Sequence, residues 1–296
     1  MKIVVAGATG LVGSALVPVL AAAGHDVVRL GRRPGPGVVA WDPAAKVLDP
    51  AVIEGATAVV NLAGAGVADG RWTQARRTEI LESRVQSTRL LVDTIARVRE
   101  RPAVLVCASG SGYYGDGGDR EIDESGAAGD GFLARVCRHW ETEARCAEVL
   151  GVRVVAMRLG MVLAAHGGAL AKMLPIFRAG LGGPAGSGRQ WVSWITLDDA
   201  AAAFVHAISS LSVTGPVNAV APGAVRNADF SRALAAVLGR PAAVRAPAVA
   251  LRLMFGRMAD ETVLESARLV PARLRESGFV FRHPQIEPAL RHVLAT

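Results

Sequence analysis

Apolar and polar positions follow two different periods along the first half of the chain. Short β-branched runs predict strands at residues 3–6, 27–30, 38–41, 58–61, 104–107 and 152–157. Between them, apolar residues recur at helical spacing, as Leu16, Val19 and Leu20 do after the first run. The longest helices are predicted at about 73–99 and 132–150. Alternating strands and helices predict an α/β fold, a doubly wound parallel sheet covered on both faces.

The pattern changes after the sixth strand. Glycine pairs punctuate a loop-rich segment up to residue 194, an alanine-rich helix follows at 198–209, and a short strand is predicted near 217–220. Further helices are expected at 229–238 and 249–255. We expect residues 1–165, with a helix at 195–213, to form a nucleotide-binding domain. Residues 166–194 and 214–296 should form a smaller lobe, with the substrate between the two.

Three glycines separate the first strand from the first helix. Such a turn needs glycine where φ is positive or where a ligand approaches closely, and the helix N-terminus attracts a pyrophosphate. The strand–turn–helix context therefore predicts a dinucleotide site. The residues expected to hold it are Gly7, Thr9, Gly10, Leu11, Val12 and Gly13.

The end of the second strand bears on the choice of cofactor. Sites for NAD carry an acidic residue here, whereas this chain has Gly31, Arg32 and Arg33. Guanidinium groups would favour a 2′-phosphate, so NADP(H) is predicted; the alternative is that both arginines are solvated turn residues. After the fourth strand, the small residues of the segment Leu62, Ala63 and Gly64 would let the backbone pass close to the cofactor.

Composition excludes several other functions. The chain has 296 residues, of which 51% are hydrophobic, and a formal charge of +7. Its arginines are scattered rather than clustered, so no nucleic-acid partner is expected. No apolar run reaches the roughly 20 residues of a membrane span, and the first strand starts at residue 3, so we expect a cytoplasmic protein without a leader. Three cysteines and six histidines show no ligand spacing, and no metal site is expected.

Several motifs together carry a family likeness. They are residues 61–64 (NLAG), 71–72 (RW), 79–84 (EILESR), 111–116 (SGYYGD), 167–170 (GGAL), 180–184 (GLGGP), 186–191 (GSGRQW) and 194–195 (WI). Through them the chain resembles the extended short-chain dehydrogenases/reductases, or NAD-dependent epimerases/dehydratases, and in particular the branch of "epimerase family" proteins. The resemblance implies a Rossmann domain of the extended type with a smaller C-terminal substrate lobe.

The chain departs from this superfamily at its catalytic helix. Active members carry Tyr-x-x-x-Lys there, whose lysine lowers the tyrosine pKa for proton exchange. By alignment, Leu133 and Cys137 occupy those two positions. The resemblance also implies that Glu79, Arg84 and Leu133 approach the cofactor; the alternative for the two charged residues is an exposed helix face.

Ser109, near the end of the fifth strand, matches the superfamily's active-site serine. Tyr113 or Tyr114 could supply the missing phenol, or could instead be packing residues or part of the substrate wall. The loop residues expected to bind substrate are Arg189, Gln190, Trp191 and Trp194. They would suit an anionic or ring-bearing ligand, although the tryptophans could equally clamp the lobes together.

Two functions remain open from these observations. The first is an NADP(H)-dependent oxidoreductase or epimerase-like enzyme for a small polar substrate, such as a nucleotide-linked or phosphorylated sugar-like alcohol. The second is a non-catalytic NADP(H)-binding sensor or regulatory protein. A homodimer formed through the helices near 73–99 and 132–150 is compatible with either.

Overall fold

A central parallel sheet organises the larger part of the computed structural model, which describes residues 1–33 and 35–295. Thr296, the last residue of the predicted smaller lobe, lies outside that range, as does Pro34. The strands are β1 (Lys2–Ala6), β2 (Asp26–Gly31), β3 (Val38–Ala40), β4 (Ala58–Asn61), β5 (Val104–Gly110), β6 (Glu121–Ile122), β7 (Arg153–Leu159), β8 (Met161–Leu163), β9 (Trp191–Val192), β10 (Trp194–Thr196), β11 (Gly215–Ala219), β12 (Val225–Arg226) and β13 (Arg268–Leu269).

The helices lie between these strands and along the last part of the chain. They are α1 (Leu11–Ala22), α2 (Gln74–Ile95), α3 (Phe132–Arg145), α4 (Gly168–Arg178), α5 (Leu197–Ser209), α6 (Asn227–Val237), α7 (Ala248–Phe255), α8 (Arg257–Glu261), α9 (Ala272–Glu276) and α10 (Ile286–Ala295). Helices α1 and α5 pack against each other, and α2 packs against α3.

The large sheet has the strand order β11-β7-β5-β4-β1-β2-β3, and every neighbouring pair is parallel. From β1 the chain adds β2 and β3 on one side of β1, and then adds β4, β5, β7 and β11 on the other side. The strand order therefore reverses between β1 and β4, which is the topological switch point of the sheet. Ligands of open α/β sheets bind at such a point, beyond the carboxyl ends of the strands. The predicted doubly wound fold is confirmed.

The core forms because the central strands are apolar on both faces. Ile3, Val4 and Val5 of β1 are fully buried, as are the neighbouring residues of β4, as expected for strands covered by helices on each side. Helix α1 turns Leu16 and Leu20 into this core, which fixes the helix N-terminus beside the end of β1.

The structure differs from the sequence-based division at one strand. We had placed residues 214–296 in the smaller lobe, but β11 is the edge strand of the large sheet, where its five residues pair with β7. A short strand looks the same in sequence whichever sheet it joins, so the sequence does not show the sheet to which β11 belongs. The division into domains stays a prediction.

Two predicted helices are also shorter than expected. Helix α2 ends at Ile95, and α3 ends at Arg145, before a separate 3-10 turn at Glu148–Leu150. Gly151 then adopts φ +79°, a left-handed conformation that ends the helical path. Within the described residues, no helix is both long and apolar enough to cross a membrane.

A smaller set of elements packs beyond the carboxyl edge of the large sheet. It contains two-stranded pairs, β8 with β10, β9 with β12, and β6 with β13. A second apolar cluster lies among these elements, and its largest buried residues are the aromatic Phe177, Trp194 and Phe230.

We expect Leu20→Ala to lower the free energy of unfolding by about 2–5 kcal/mol, because Leu20 is fully buried in α1 and its loss leaves a cavity. The same substitution at Leu211, which is 81% exposed, should change it by less than about 0.5 kcal/mol. Urea unfolding of both variants measures the difference, and equal stabilities would contradict this account of the core.

Candidate cofactor and substrate site

The turn after β1 closes against the chain leaving β4. Gly7 has φ +79°, and a Cβ atom there would lie 2.6 Å from the carbonyl carbon of Leu62. A Cβ atom on Gly13 would lie only 2.2 Å from the Gly7 carbonyl oxygen. Neither position has room for a side chain, and the positive φ of Gly7 is one of the two reasons for which the turn was expected to need glycine.

Helix α1 begins directly after this turn, with Gly10 as its N-cap residue. The N–H groups of Leu11, Val12 and Gly13 belong to the first turn and have no acceptor within the helix. Thr9 and Gly10 are exposed. The turn therefore presents backbone donors and the positive end of a helix at the edge of the sheet.

Arg32 and Arg33 lie just beyond the carboxyl end of β2, the strand next to β1. Both side chains are exposed, and no ion pair or side-chain hydrogen bond holds them within the described part of the chain. By contrast, Arg29 of the same strand donates hydrogen bonds to the carbonyls of Pro36 and Gly37. The Arg32 and Arg33 side chains are thus available to bind a phosphate group.

Arg84 of α2 packs against the loop that follows β4 and hydrogen-bonds to it. Its Nη1 donates 2.9 Å hydrogen bonds to the carbonyls of Ala65 and Ile80. A Cβ atom on Gly64 would come within 3.0 Å of the guanidinium carbon. Burial lowers the pKa of Arg84. The residue is therefore not the solvated surface charge of the alternative interpretation.

Glu79 differs from Arg84, although both are on α2. Its side chain is exposed and forms a 2.6 Å ion pair with Arg76, three residues earlier. Within the part of the chain that the structure describes, the Glu79 carboxylate forms no hydrogen bond or ion pair with the glycine turn. A surface ion pair of this kind contributes at most about 1 kcal/mol.

A buried ion pair lies beneath the end of β5. Arg158 of β7 and Glu141 of α3 form two parallel hydrogen bonds, Nε to Oε1 and Nη2 to Oε2, both 2.8 Å long. Burial opposes the charge on Arg158, but the hydrogen bonds and the charge of Glu141 outweigh it and raise the arginine pKa. The bidentate geometry makes this pair a fixed support for the residues around it.

Ser109 is tied to this pair. Its Oγ donates a 2.7 Å hydrogen bond to Glu141 Oε1, and the side chain is buried. Since the hydroxyl proton points at the carboxylate, the remaining lone pairs of Oγ can only accept a hydrogen bond. Ser109 Oγ could therefore accept a hydrogen bond from a donor such as a substrate hydroxyl.

Tyr114 is committed to the same network. Its hydroxyl accepts a 2.8 Å hydrogen bond from Arg158 Nη1 and donates a 2.6 Å hydrogen bond to Asn218 Oδ1. Burial raises the pKa of Tyr114 to about 12, despite the opposing effect of Arg158. This geometry favours the packing role that the sequence left open for Tyr114, because its hydroxyl is hydrogen-bonded within the protein; a catalytic role for it stays a prediction.

Tyr113 is placed differently. Its ring lies on the guanidinium of Arg158, whose carbon is 3.4 Å from the ring centroid, and meets Tyr114 edge-on at 5.2 Å. The Tyr113 hydroxyl has no hydrogen-bond partner among residues 1–33 and 35–295. The Arg158 guanidinium holds the Tyr113 ring in place and leaves the Tyr113 hydroxyl available for a hydrogen bond to a ligand.

Leu133 and Cys137 stand where the superfamily's acid–base pair would be. The Leu133 side chain lies against Gly112, where a Cβ atom would be 2.9 Å from that of Leu133, and its N–H donates to Glu261 Oε2 at 2.8 Å. Burial raises the pKa of the Cys137 thiol. Neither residue offers a group that exchanges protons near neutral pH.

Two of the four predicted substrate residues are core residues instead. Trp194 is fully buried, and its Nε1 donates to the Gly223 carbonyl at 2.8 Å. Gln190 is also buried, with Nε2 bonded to the carbonyls of Ala185 and Val263. These placements favour the alternative in which the side chains hold the loop in the fold, and sequence position in a loop does not reveal which side chains turn inward.

Trp191 and Arg189 remain at the surface of this loop. The Trp191 ring is stacked between Arg226 and Arg268, whose guanidinium carbons are 4.2 and 4.4 Å from its centroid. Its Nε1 donates to Asp119 at 3.3 Å. Arg189 is exposed. This basic, aromatic surface also holds acidic partners, because Arg226 pairs with Asp119 and Arg268 with Glu121. Arg189 is therefore its arginine best placed to bind an anionic group.

Sequence reasoning missed the charged residues of the buried network. Arg158 is a charge inside the apolar strand β7, and Glu141 lies one helical turn after Cys137 on the buried face of α3. A charge in such a position is rarely buried without a partner. That rule could have singled out both residues, although not their pairing.

Glu265 is another charged residue that the sequence did not reveal. It lies beside Gly115, where a Cβ atom would be 3.4 Å from its Oε1. Burial, with smaller contributions from Glu261 and Asp116, raises the pKa of Glu265 to about 8. The lobe thus holds a carboxyl group that titrates near neutral pH.

Family models match most of the chain. One described as "NAD dependent epimerase/dehydratase family" matches residues 3–219, and one described as "Domain of unknown function (DUF1731)" matches residues 246–293. The "Epimerase family protein MT2273" of Mycobacterium tuberculosis is 42% identical over 290 residues, which cover 97% of this chain and 96% of that protein.

Two crystal structures share the architecture. Human epimerase family protein SDR39U1 (isoform 2), solved with NADPH, is 35% identical with a TM-score of 0.91, and the match covers 100% of this chain and 99% of that one. A nucleoside-diphosphate sugar epimerase from Corynebacterium glutamicum is 35% identical with a TM-score of 0.81, covering 99% of this chain and 58% of that one.

We expect Glu265→Gln to raise the free energy of unfolding at pH 8 by about 1–2 kcal/mol, after discounting for partial exposure of the side chain. The folded-state pKa of Glu265 is raised from 4.5 to about 8, so the folded protein holds a proton that the unfolded chain releases. Wild-type stability should therefore fall, relative to the variant, as pH rises from about 4.5 to 8.

Urea unfolding at several pH values measures this difference. The exposed Glu276 provides the control, because Glu276→Gln should follow the wild-type trend. If Glu265→Gln kept the wild-type pH dependence, the buried carboxyl would have no such effect.

Proposed function

Because the chain belongs to the NAD dependent epimerase/dehydratase family, we propose that it is an NADP(H)-dependent oxidoreductase or epimerase-like enzyme acting on a small polar alcohol. The observation that carries this proposal is the polar centre at the end of β5. Ser109 and Tyr113 are both held there by the buried Arg158–Glu141 pair.

The glycine turn and its surroundings fit a dinucleotide with a 2′-phosphate. The positions of Gly7 and Gly13, where a Cβ atom would collide, allow a pyrophosphate to approach the backbone donors of α1. Arg32 and Arg33 would hold the 2′-phosphate, and Gly31 keeps the end of β2 free of a competing carboxylate. NADPH in the human relative's structure supports this assignment. When bound, the cofactor would supply or accept hydride.

The chain's own residues would handle the reacting oxygen and its proton. Ser109 Oγ accepts a hydrogen bond from the substrate hydroxyl, because its own proton is directed at Glu141. Tyr113, with its hydroxyl uncommitted, gives a proton to the reacting oxygen or takes one from it. Arg158 acts as a positioning residue through the Tyr113 ring and the Glu141 carboxylate.

The substrate would extend from this centre toward the basic surface around Trp191. Arg189 and Trp191 offer an exposed guanidinium and a ring held by two further arginines. A phosphorylated or nucleotide-linked alcohol has an anionic end that suits this surface. The name of the Corynebacterium relative, a nucleoside-diphosphate sugar epimerase, fits the same class of substrate.

The second candidate function is a non-catalytic NADP(H)-binding sensor. It is favoured by Leu133 and Cys137, which replace the tyrosine and lysine that the resemblance implies for active enzymes. In that case the cofactor would set a conformation that a partner recognises, and no substrate would be turned over.

Partners and location stay predictions. We expect no nucleic-acid partner, since no basic stripe was found in the sequence, and a cytoplasmic location. A homodimer through α2 and α3 would double the mass in solution, which sedimentation measures directly.

We expect Tyr113→Phe to lower turnover by at least about 100-fold, the usual range for loss of a general acid or base. The substitution removes only the uncommitted hydroxyl, so the free energy of unfolding should change little. Turnover is measured by nicotinamide absorbance with panels of sugars, aldehydes and quinones.

Tyr114→Phe is the matched comparison. It leaves Arg158 and Asn218 short of a buried partner, so the free energy of unfolding should fall by about 1–3 kcal/mol. Full turnover by Tyr113→Phe would remove the catalytic role. A wild-type protein that binds NADPH yet turns over no compound would favour the sensor instead.

We expect the double substitution Arg32→Ala/Arg33→Ala to reduce the preference for NADPH over NADH by about tenfold or more, because charge-assisted hydrogen bonds to the 2′-phosphate are lost. Calorimetric titration with each coenzyme measures the ratio of the two Kd values. The control Arg240→Ala/Arg245→Ala removes the same charge from exposed positions in the C-terminal part of the chain and should leave the ratio intact. An unchanged ratio in the first variant would refute the phosphate assignment.

A further inference from the structure

Three side chains with metal-ligating atoms meet away from the proposed catalytic centre. They are Asp198, His283 and His292, and one ligand atom from each lies within 4.8 Å of the other two. His292 Nε2 is 2.6 Å from Asp198 Oδ2. The rings of His283 and His292 are stacked, with centroids 4.2 Å apart and planes inclined by 20°. None of these residues is used by the function proposed above.

The three residues come from three separate segments. Asp198 is in the first turn of α5, His292 is in the last turn of α10, and His283 is in the loop that precedes α10. Helix α5 packs on α1 of the nucleotide-binding domain, whereas α10 packs on α6 of the smaller lobe. The cluster therefore joins the two parts of the molecule.

The neighbouring Asp199 holds the backbone of this loop in place. Its buried carboxylate accepts 3.0 Å hydrogen bonds from the N–H groups of Arg282 and His283. Since Asp198 precedes Asp199 directly, the same bonds fix His283 relative to Asp198. The backbone of His283 is thus held by hydrogen bonds to a buried carboxylate.

An ion pair between Asp198 and His292 accounts for only two of the three residues. Two imidazoles and one carboxylate are a typical ligand set for a divalent transition cation. The cation would balance the carboxylate and draw a nitrogen from each ring.

We propose that Asp198, His283 and His292 bind a divalent transition cation, with zinc as the expected metal, and that this cation fastens α10 to α5. Zinc bonds of about 2.0–2.1 Å place tetrahedral ligands about 3.4 Å apart, so binding would move His292 Nε2 and Asp198 Oδ2 apart from 2.6 Å and bring the His283 ligand atom to a similar distance from both. The side chains of Asp198 and His292 are 47% and 35% exposed, which lets them adjust and leaves a coordination position for water.

The test uses the full chain without a histidine tag, freed of metal with a chelator. Calorimetric titration with zinc chloride should give one site per chain with a Kd in the micromolar range or below. The melting temperature should rise with zinc concentration, because the ion binds only the folded arrangement.

His283→Ala is the decisive variant, since it removes one ligand while the ion pair between Asp198 and His292 can remain. Zinc affinity should fall at least tenfold, and the zinc-dependent rise in melting temperature should disappear. Asp198→Asn, which keeps the side-chain size, should give the same loss. His139→Ala, at an exposed position on α3, should bind zinc as the wild type does.

Two results would overturn the proposal. One is a wild-type protein that binds no zinc below millimolar concentration. The other is an affinity that is equal in the wild type and in His283→Ala, which would place the metal elsewhere. Both results are independent of coenzyme binding and turnover, so they leave the proposed function untouched.

Discussion

The β1–α1 turn can close only because Gly7 and Gly13 have no side chains. Each would place a Cβ atom within 2.6 Å of backbone atoms, on the chain leaving β4 in one case and on the turn itself in the other. This steric constraint brings the first turn of α1 to the switch point of the sheet. The ends of β2, β4 and β5 lie along the same edge because the strands are parallel, so the proposed cofactor site and the proposed catalytic centre are at the same edge of the sheet.

The second organising interaction is the buried pair of Arg158 and Glu141. Removing one partner of such a pair costs about 3–5 kcal/mol, whereas a well-packed apolar replacement of both can be neutral. Stability alone therefore does not explain its presence. The pair orients Ser109, fixes the ring of Tyr113 and occupies the hydroxyl of Tyr114. These contacts form a polar centre without the tyrosine and lysine that the superfamily resemblance implies for active enzymes.

Local sequence patterns predicted much of the large sheet and the turn that follows its first strand. The strand periods and the glycine spacing located β1 to β5 and the glycine turn after β1, because both patterns depend on neighbours in sequence. The place of β11 in the large sheet and the burial of Trp194 and Gln190 depend on distant contacts, so the sequence did not reveal them. The pairing of Arg158 with Glu141 was missed for the same reason, since nothing local to either residue identifies its partner.

The central claim is that the glycine turn holds a phosphorylated pyridine dinucleotide. Calorimetric titration of the purified wild-type chain with NADPH, NADP⁺, NADH and NAD⁺ tests it most directly. The account predicts one site per chain with a micromolar or tighter Kd for the phosphorylated coenzymes and weaker binding of the other two. An absence of heat with all four would contradict it.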